Sequence, residues 1–488
     1  MMKMSGRSSK AYRPANDCLN LAVCNEKGKS NMKKIIAILL TAAMLLSLTA
    51  CGGGDKPSNY ESNTTPSGTG ETTDKVPDES TTEASTSSED EAKSVISRYD
   101  SNADDEVLEI RLLTLEKTLQ TRYEWADDYD RALVRSEHSC VTLGQADADA
   151  YPEMAEVLNQ LATMQENAMQ DEFDNLVSIA REDLVADREG FETNVSTLDV
   201  QVRRADSLVI SLLSDSYSHF GQIENYRAFH GSNYDPKSGR ELMLNDVVNV
   251  NNDLAQAVET ELTTAAWAGD FYSETTVEDY FANTPYDCFN WTIDYLGLTF
   301  YFSPGDLSDD GMMTATVSFA EYPTLFNEKY LVVPTEYAVE IPLDISFFIE
   351  SDADDALEAI SISGWYNDDQ NHYMDYGIYT DTDGQYYEEE CYAYDLHPYY
   401  VKAADGNYVY LFCEDFEDEH REMRLVVFSL NADGSVTKTG EMNVSPSWLA
   451  DNKFIVPTDP GMLILDDADS GTEKVEFAVG NDGMPSKT

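Results

Sequence analysis

The sequence predicts an α+β protein, in which a domain built from a helix and an antiparallel sheet is followed by a mostly-β module. Three observations predict this fold. Apolar residues recur at helical spacing over one long segment, strand-like runs lie on both sides of it, and short aromatic strands separated by Asp-Gly turns fill the last part of the chain. The order of strands, helix and strands favours α+β over a parallel α/β sheet.

One long amphipathic helix, or two with a slight break, is predicted between Tyr151 and Asp187. Pro152 suits a first helical position, and Asp149 can cap the helix just upstream. We expect the apolar stripe of this helix to pack on a sheet. The stripe consists of Met154, Leu158, Leu161, Met164, Met169, Phe173, Leu176, Ala180 and Leu184.

The segments around this helix are predicted to be strands with one shorter helix. Runs rich in β-branched and aromatic residues predict strands at Val107–Leu112, Ser207–Leu213 and Leu298–Phe302. The run Asn233–Gly239 places Asp before Pro and ends on Gly, which is typical of a turn. The short helix is predicted from the spacing of Leu254, Ala257, Val258 and Leu262.

The region 357–480 carries many short strands rich in Tyr, Phe and Val. Asp-Gly pairs such as Asp383-Gly384, Asp405-Gly406 and Asp433-Gly434 separate them, which predicts antiparallel hairpins. Cys391 and Cys413 fall on two of these neighbouring strand candidates. Pairing across the strands and buried free thiols are both compatible with the sequence.

A basic and apolar segment lies unusually deep in the chain. Lys33-Lys34 precede an apolar run from Ile35 to Ala50, whose 16 residues fall short of the ~20 that a spanning helix needs. We therefore expect this run to be cleaved rather than kept. Together with Cys51 its small last residues resemble the lipobox of bacterial lipoproteins. The resemblance implies cleavage between Ala50 and Cys51 and lipidation of Cys51.

The predicted organisation of the chain follows from this signal. We interpret residues 1–31 as an over-extended start and residues 32–50 as the lipoprotein signal peptide. Residues 51–100 contain the lipidated Cys51 and a disordered tether rich in Ser, Thr and Glu. The folded parts are predicted to be an α+β domain at residues 101–340 and a mostly-β module at residues 341–488. The lipid places them on the extracytoplasmic face of a bacterial cell membrane.

The charge of the chain limits its partners. The formal net charge is −59, so the surface repels nucleic acid and anionic lipid headgroups. We expect no nucleic-acid partner. A cationic partner and bound divalent cations remain open, and the membrane is expected to be reached only through the lipid on Cys51.

The segment 205–330 resembles a known extracellular domain. It contains a strand ending at Tyr217, the run Asn233–Asp246 with its Tyr-Asp and Leu-x-Leu-x-Asp elements, and Leu298–Pro304. These motifs are similar to the domain of unknown function shared by RsiV-type lysozyme-sensing anti-sigma factors and PdaC-type peptidoglycan deacetylases. The Gly-Gly-Ala-His-Gly-like loop of that family is replaced here by Gly221–Asn225, so no ligand residues are carried over.

The sequence contains none of the common catalytic or metal-binding motifs. No two histidines are spaced as zinc ligands, and no Cys-x-x-Cys, nucleophile elbow or phosphate-binding loop occurs. His219 and His230 are the histidine pair that a hairpin would bring together. We expect no cofactor, with calcium as the alternative. Its candidate acidic ligands lie at Asp352–Asp355, Asp381–Gly384, Glu414–Glu419 and Asp466–Asp469.

Aromatic residues are concentrated between Trp365 and Tyr400. They serve either as packing residues of β-strands or as an exposed surface that holds sugar rings. We therefore predict a lipid-anchored, non-enzymatic surface protein that binds a cell-wall glycan or a cationic protein such as lysozyme. The alternatives are a cell-wall-modifying hydrolase or deacetylase with dispersed carboxylates, and a structural surface protein. The aromatic set is Trp365, Tyr366, Tyr373, Tyr376, Tyr379, Tyr386, Tyr387, Tyr392, Tyr394, Tyr399 and Tyr400.

Overall fold

Strands dominate the fold, which a computed structural model shows as several packed sheets. All described residues belong to one compact unit. None of the helices in these residues combines the length and the apolar composition that a membrane crossing needs. The described residues are 110–126, 131–220, 223–250, 252–264, 276–286, 288–304, 306–307, 312–350, 357–367, 372–380, 385–417, 420–444, 453–466 and 474–488.

The first sheet has six strands in the order β17-β1-β2-β3-β4-β5. All its pairs are antiparallel except β2 with β3, which run parallel. A parallel pair requires a long connection, and two helices, α1 (Gln145–Ala150) and α2 (Pro152–Ala186), supply it. The strands are β1 (Leu115–Trp125), β2 (Ala132–Leu143), β3 (Asn194–Ala205), β4 (Ile210–Phe220), β5 (Ile223–Tyr234) and β17 (Lys453–Ile455).

The predicted long helix is confirmed as the single helix α2, with Pro152 as its first residue. Its predicted stripe is largely buried. Leu176, Ala180 and Leu184 pack against β2, and Met154 and Leu158 join the main core. Asp149 makes no capping bond to α2, because the residue before the helix is Tyr151 and Asp149 belongs to α1.

A smaller lobe follows β5 in the chain. Its buried core is built from Leu254, Val258, Phe300 and Trp291 together with many other apolar side chains. The predicted short helix is confirmed as α4. The lobe consists of α3 (Leu244–Val247), α4 (Asn252–Thr264), α5 (Val277–Asn283), the antiparallel strands β6 (Trp291–Ile293), β7 (Gly297–Phe302) and β8 (Met313–Ser318), and the 3₁₀ helices Pro323–Leu325 and Glu328–Leu331.

The predicted turn after β5 is also confirmed. The Asp235 side chain accepts bonds from the backbone N–H groups of Lys237 and Ser238 at 2.9 and 3.3 Å. Gly239 has a φ of 63° and lies against the first turn of α2. A Cβ at this position would lie only 2.9 Å from the Glu153 carbonyl oxygen. Glycine is therefore required here for both its backbone conformation and its small size.

The second large sheet has eight strands, in the order β10-β11-β12-β13-β14-β15-β16 with β9 paired to β13. All its pairs are antiparallel. A three-stranded sheet, β18-β19-β20, completes the described chain. The strands are β9 (Tyr337–Glu340), β10 (Phe347–Ile349), β11 (Glu358–Asn367), β12 (His372–Thr380), β13 (Tyr386–Ala403), β14 (Gly406–Glu417), β15 (His420–Leu430), β16 (Val436–Val444), β18 (Leu463–Asp466), β19 (Lys474–Val479) and β20 (Pro485–Lys487).

The middle of the eight-stranded sheet is buried on both faces. Along β14, Tyr408, Tyr410 and Phe412 enter the core shared with the six-stranded sheet, while Val409 and Leu411 enter a second core on the opposite face. This explains the nearly continuous apolar run of this strand, since a strand covered on both sides has no polar face. Strands that precede the predicted domain boundary at residue 341 and strands that follow it thus contribute to one core.

A buried ion cluster joins the two large sheets. Lys117 of β1 is fully buried, and its Nζ lies 2.7 Å from Asp199 Oδ1 of β3 and 2.6 Å from Glu340 Oε1 of β9. Glu340 Oε2 also accepts the backbone N–H of Val202 at 3.0 Å, and Ser139 donates to Asp199 at 2.8 Å. The ammonium group of Lys117 therefore has two carboxylate partners, and both carboxylates receive further hydrogen bonds. A buried charge needs such partners to be tolerated.

The pKa shifts agree with this geometry. Burial alone would lower the pKa of Lys117, but the two carboxylates raise it above its usual value. Burial would raise the pKa of Asp199, yet the charge and hydrogen bond of Lys117 hold it below its usual range. Burial raises the pKa of Glu340 although Lys117 opposes the shift. The ammonium therefore stays charged between the sheets.

Replacing Lys117 by Met should destabilise the protein strongly. The substitution keeps the apolar stem but leaves Asp199 and Glu340 without their cation, which costs about 3–5 kcal/mol of unfolding free energy. Urea denaturation followed by circular dichroism measures this loss. The control is Lys453→Met, because Lys453 is exposed and pairs with Glu116 at the surface, where the loss should stay below about 1 kcal/mol. Equal losses in the two variants would contradict the role of Lys117.

Candidate functional site

The strands β11, β12 and the first half of β13 form one end of the eight-stranded sheet. Their register places Trp365 opposite Asp375, and Tyr379 opposite Tyr386. Because side chains alternate between the two faces, every second residue of these strands shares one outward face. We call it the acidic aromatic face, and its residues are Trp365, Asp375, Tyr379, Tyr386, Glu388, Glu390 and Tyr392.

Three aromatic rings of this face are open to solvent. Trp365 is 59% exposed, Tyr386 58% and Tyr392 62%. Glu388 and Glu390 are exposed between the two tyrosines. Aromatic rings and carboxylates are therefore grouped on one surface of the sheet instead of being scattered over the protein.

The opposite face of the same strands is buried. Ile362, Tyr376 and Ile378 belong to the second core. Tyr376 donates to Glu389 Oε2 at 2.8 Å, and Lys438 Nζ lies 3.0 Å from the same carboxylate. Burial would raise the pKa of Glu389, but these bonds hold it below its usual value. The sheet under the acidic aromatic face is thus anchored by both apolar and ionic contacts.

Tyr379 is held flat on the sheet. Its hydroxyl donates to Glu388 Oε1 at 2.9 Å, and its ring is stacked beside Tyr386 with centroids 6.2 Å apart and planes inclined by 22°. A Cβ on Gly377 would lie 2.4 Å from the Tyr379 hydroxyl oxygen. The Tyr379 ring therefore covers the backbone of Gly377. Together the rings of Tyr379 and Tyr386 form a preorganised aromatic surface.

The other end of the face is ordered by two further contacts. His372 and Tyr392 stack with centroids 4.7 Å apart and planes inclined by 28°. The backbone N–H of Trp365 donates to Asp375 Oδ1 at 3.2 Å. These contacts restrict the rotamers of the exposed side chains, so a ligand would lose less conformational entropy on binding them.

The strand tip is attached to the six-stranded sheet by a cation–π contact. Arg135 of β2 lies over the Tyr366 ring, 5.3 Å from its centroid, and donates to the Tyr366 hydroxyl. Tyr366 in turn packs edge-on against Tyr373, with centroids 5.0 Å apart. Burial raises the pKa of Tyr366 to about 12, although Arg135 opposes the shift. The phenol therefore stays neutral and keeps its proton.

The structure divides the aromatic set of the sequence into two groups. Tyr376, Tyr399 and Tyr400 are core residues, whereas Trp365, Tyr386 and Tyr392 are exposed. Core tyrosines and exposed rings therefore both occur in this set, while a role of the exposed rings in holding sugars stays a prediction. Register shifts next to Trp365 and after Tyr373 interrupt the regular alternation of side chains between the two faces of the sheet. These shifts cannot be predicted from a simple period in the sequence.

Among the described residues, the remaining sequence candidates are not brought together. His219 and His230 do not converge: His219 is paired with Glu192, and His230 lies opposite Ser214, five residues away along β4. Cys391 and Cys413 are buried free thiols, so the disulfide alternative is not found. In the described ranges no three His, Cys, Asp or Glu residues are grouped to hold a metal ion. The calcium candidates at Asp352–Asp355 and Asp381–Gly384 lie outside those ranges.

Two other calcium candidates, Glu414–Glu419 and Asp466–Asp469, are only partly described. The predicted cleavage and lipidation site, Ala50 and Cys51, lies outside the described residues, as do the signal and the tether. Lipidation, like calcium binding, therefore stays a prediction.

Comparisons with known proteins find similarity only among solved structures. No protein-family profile matches the chain, and no curated protein sequence matches it. A DUF3298 family member from Bacteroides fragilis is 12% identical with a TM-score of 0.33, over 45% of this chain and 94% of its own. A DUF3298 family protein from Pseudomonas aeruginosa is 12% identical with a TM-score of 0.31, over 46% of this chain and 98% of its own. These structures represent a domain of unknown function, and the RsiV-type resemblance itself stays a prediction.

Replacing Gly377 by Ala should displace the Tyr379 ring without unfolding the sheet. The new methyl group occupies the place of the hydroxyl end of Tyr379, and the clash is relieved when this side chain rotates off the sheet. We expect the unfolding free energy to change by less than about 1 kcal/mol. A crystal structure of the variant should show the bond to Glu388 broken. In Tyr379→Phe, by comparison, the ring should stay over Gly377, and an unmoved ring in both variants would contradict the packing described.

Proposed function

We propose that this chain is a lipid-anchored surface protein on the extracytoplasmic face of a bacterial cell membrane, and that it binds its ligand without catalysis through the acidic aromatic face. The observation that carries the proposal is the set of exposed rings and carboxylates on one ordered sheet surface. In this proposal residues 101–340 are the RsiV-like α+β domain, and residues 341–488 are the mostly-β module that presents the face.

The chemistry of the face suits two ligand classes. Exposed aromatic rings pack against the apolar faces of sugars, and neighbouring carboxylates accept hydrogen bonds from hydroxyl groups. The same groups bind Lys and Arg side chains through cation–π contacts and charge-assisted hydrogen bonds. The ligand is accordingly a cell-wall glycan or a cationic protein such as lysozyme.

The net charge favours the cationic protein. At −59 the chain attracts positively charged partners over distances beyond direct contact, which speeds their association. Aromatic residues then supply the buried contact area that usually dominates protein binding. The tether of residues 51–100 would separate this surface from the membrane and from its anionic headgroups.

Removing the exposed rings should weaken binding. A triple variant with Trp365→Ala, Tyr386→Ala and Tyr392→Ala should bind lysozyme or peptidoglycan at least about tenfold more weakly than the unchanged protein. Calorimetric titration of lysozyme and sedimentation with peptidoglycan measure this on the purified full chain.

The matched control is Tyr286→Ala, because Tyr286 is an exposed ring outside the face. A cationic ligand is recognised by an affinity that falls as salt is added, whereas glycan binding should change little with salt. Unchanged affinity in the triple variant would contradict the proposed surface, and no binding to either ligand would contradict both ligand classes.

Replacing Cys51 by Ala should release the protein from the membrane. Without the thiol no lipid can be attached, and the predicted signal is too short to span the bilayer. Fractionation of cells followed by immunoblotting measures the distribution between membrane and soluble fractions. Cys288→Ala is the control, since Cys288 is an exposed cysteine outside any disulfide and should not affect anchoring. Membrane association of the Cys51 variant would contradict lipid anchoring.

A further inference from the structure

The layer between α2 and the six-stranded sheet is not apolar throughout. Leu176, Ala180 and Leu184 pack against the sheet near the end of the helix, and Met154 and Leu158 do so near its start. Between these contacts lies a group of polar side chains that is almost completely buried. We call it the polar layer, and it consists of Ser136, His138, Glu172, Asn194 and Ser196.

The strand register brings these side chains together. Ser136 of β2 lies opposite Ser196 of β3, and Asn194 lies two residues before Ser196, opposite Val134 and on the same face. His138 follows Ser136 by two residues and therefore points to the same face. From the helix side, Glu172 Oε1 accepts a hydrogen bond from Ser196 Oγ at 2.9 Å. The polar layer thus spans two strands and the helix above them.

Within the described part of the chain, five polar atoms of this layer have no hydrogen-bond partner. They are Ser136 Oγ, both ring nitrogens of His138, and the amide nitrogen and oxygen of Asn194. Asn194 is 0% exposed, Ser136 1% and His138 2%. Buried polar atoms are almost always paired, because an unpaired one loses its hydration and gains nothing in return. A cluster of five on one surface therefore requires a partner from outside the chain.

The charges of the layer restrict what that partner is. Burial raises the pKa of Glu172, although the bond from Ser196 opposes the shift. Burial and the nearby Arg122 lower the pKa of His138, against a smaller opposing effect of Glu166. Both shifts run toward the neutral forms, which disfavours an ion as the partner. It offers donors and acceptors in similar number, which suits a small neutral molecule.

The rim of the layer supplies a boundary with solvent. Arg122 of β1 lies opposite Ser136 on the same face. Its guanidinium donates to Gln120 at 3.2 Å and to Gln170 of α2. This bridge between strand and helix covers the edge of the polar layer with groups that can exchange their bonds with water.

We propose that Ser136, His138 and Asn194 form a built internal binding site for water between α2 and the six-stranded sheet. A buried water makes about three hydrogen bonds, so five unpaired atoms call for at least two waters. The waters complete the bonding that the protein leaves open and connect β2, β3 and the helix through one network. This network fixes the position of α2 on the sheet where its apolar stripe is interrupted.

The proposal is tested by counting long-lived internal waters in the full chain by oxygen-17 magnetic relaxation dispersion. Asn194→Leu removes the amide, two of the five unpaired atoms, while keeping a similar shape, and should lower the count by at least one water. The control is Asn233→Leu, because Asn233 is equally buried but its amide is bonded to Ser211 and Trp291 within the protein. The control should leave the count unchanged. An unchanged count in Asn194→Leu would overturn the proposal.

A second measurement does not depend on either variant folding. A crystal structure of the unsubstituted chain should show water density about 2.7–3.2 Å from Ser136 Oγ, the His138 ring and the Asn194 amide. Side chains that pair these atoms directly with each other would overturn the proposal. So would an organic molecule bound in the layer.

Discussion

The ion cluster of Lys117 with Asp199 and Glu340 is the contact on which the arrangement of the two large sheets depends. It joins β1, β3 and β9, so residues that are far apart in the chain meet at one buried ammonium group. Apolar packing tolerates small shifts of one sheet over the other, whereas a buried charge that loses its partners destabilises the fold. Val202 and Ser139 add hydrogen bonds to the same carboxylates. The cluster therefore selects one packing of the sheets.

The acidic aromatic face follows from that packing. The middle of the eight-stranded sheet is covered on both sides, whereas β11, β12 and the first half of β13 turn one face to solvent. The end formed by β11, β12 and β13 is held from below by the second core and at its tip by Arg135 over Tyr366. Tyr379, pinned over Gly377 by Glu388, needs no rearrangement to present its ring. A rigid sheet thus carries rings and carboxylates in a fixed pattern, which lowers the entropy cost of binding.

The sequence predicts local features of this fold better than its long-range contacts. The spacing of apolar residues identifies α2 and α4, and the Asp-Pro-x-x-Gly run identifies the turn at Gly239, because both depend on neighbouring residues. The parallel pairing of β2 with β3 and the pairing of β17 with β1 depend on residues brought together by the fold. The same holds for the site: the aromatic concentration is visible in the sequence, but the separation of Tyr376 from Trp365 depends on register. The sequence does not single out Lys117, because its neighbours Glu116 and Thr118 are polar and a lysine in such a run is usually taken as solvent-facing.

The central claim is that ligand binds on the acidic aromatic face and not elsewhere on the chain. Hydrogen–deuterium exchange of the full chain, with and without saturating lysozyme or soluble peptidoglycan fragments, tests it most directly. The account predicts that ligand slows amide exchange in β11, β12 and the first half of β13, while β1 to β5 stay unchanged. Slower exchange confined to the six-stranded sheet or to the lobe around α4 would contradict it.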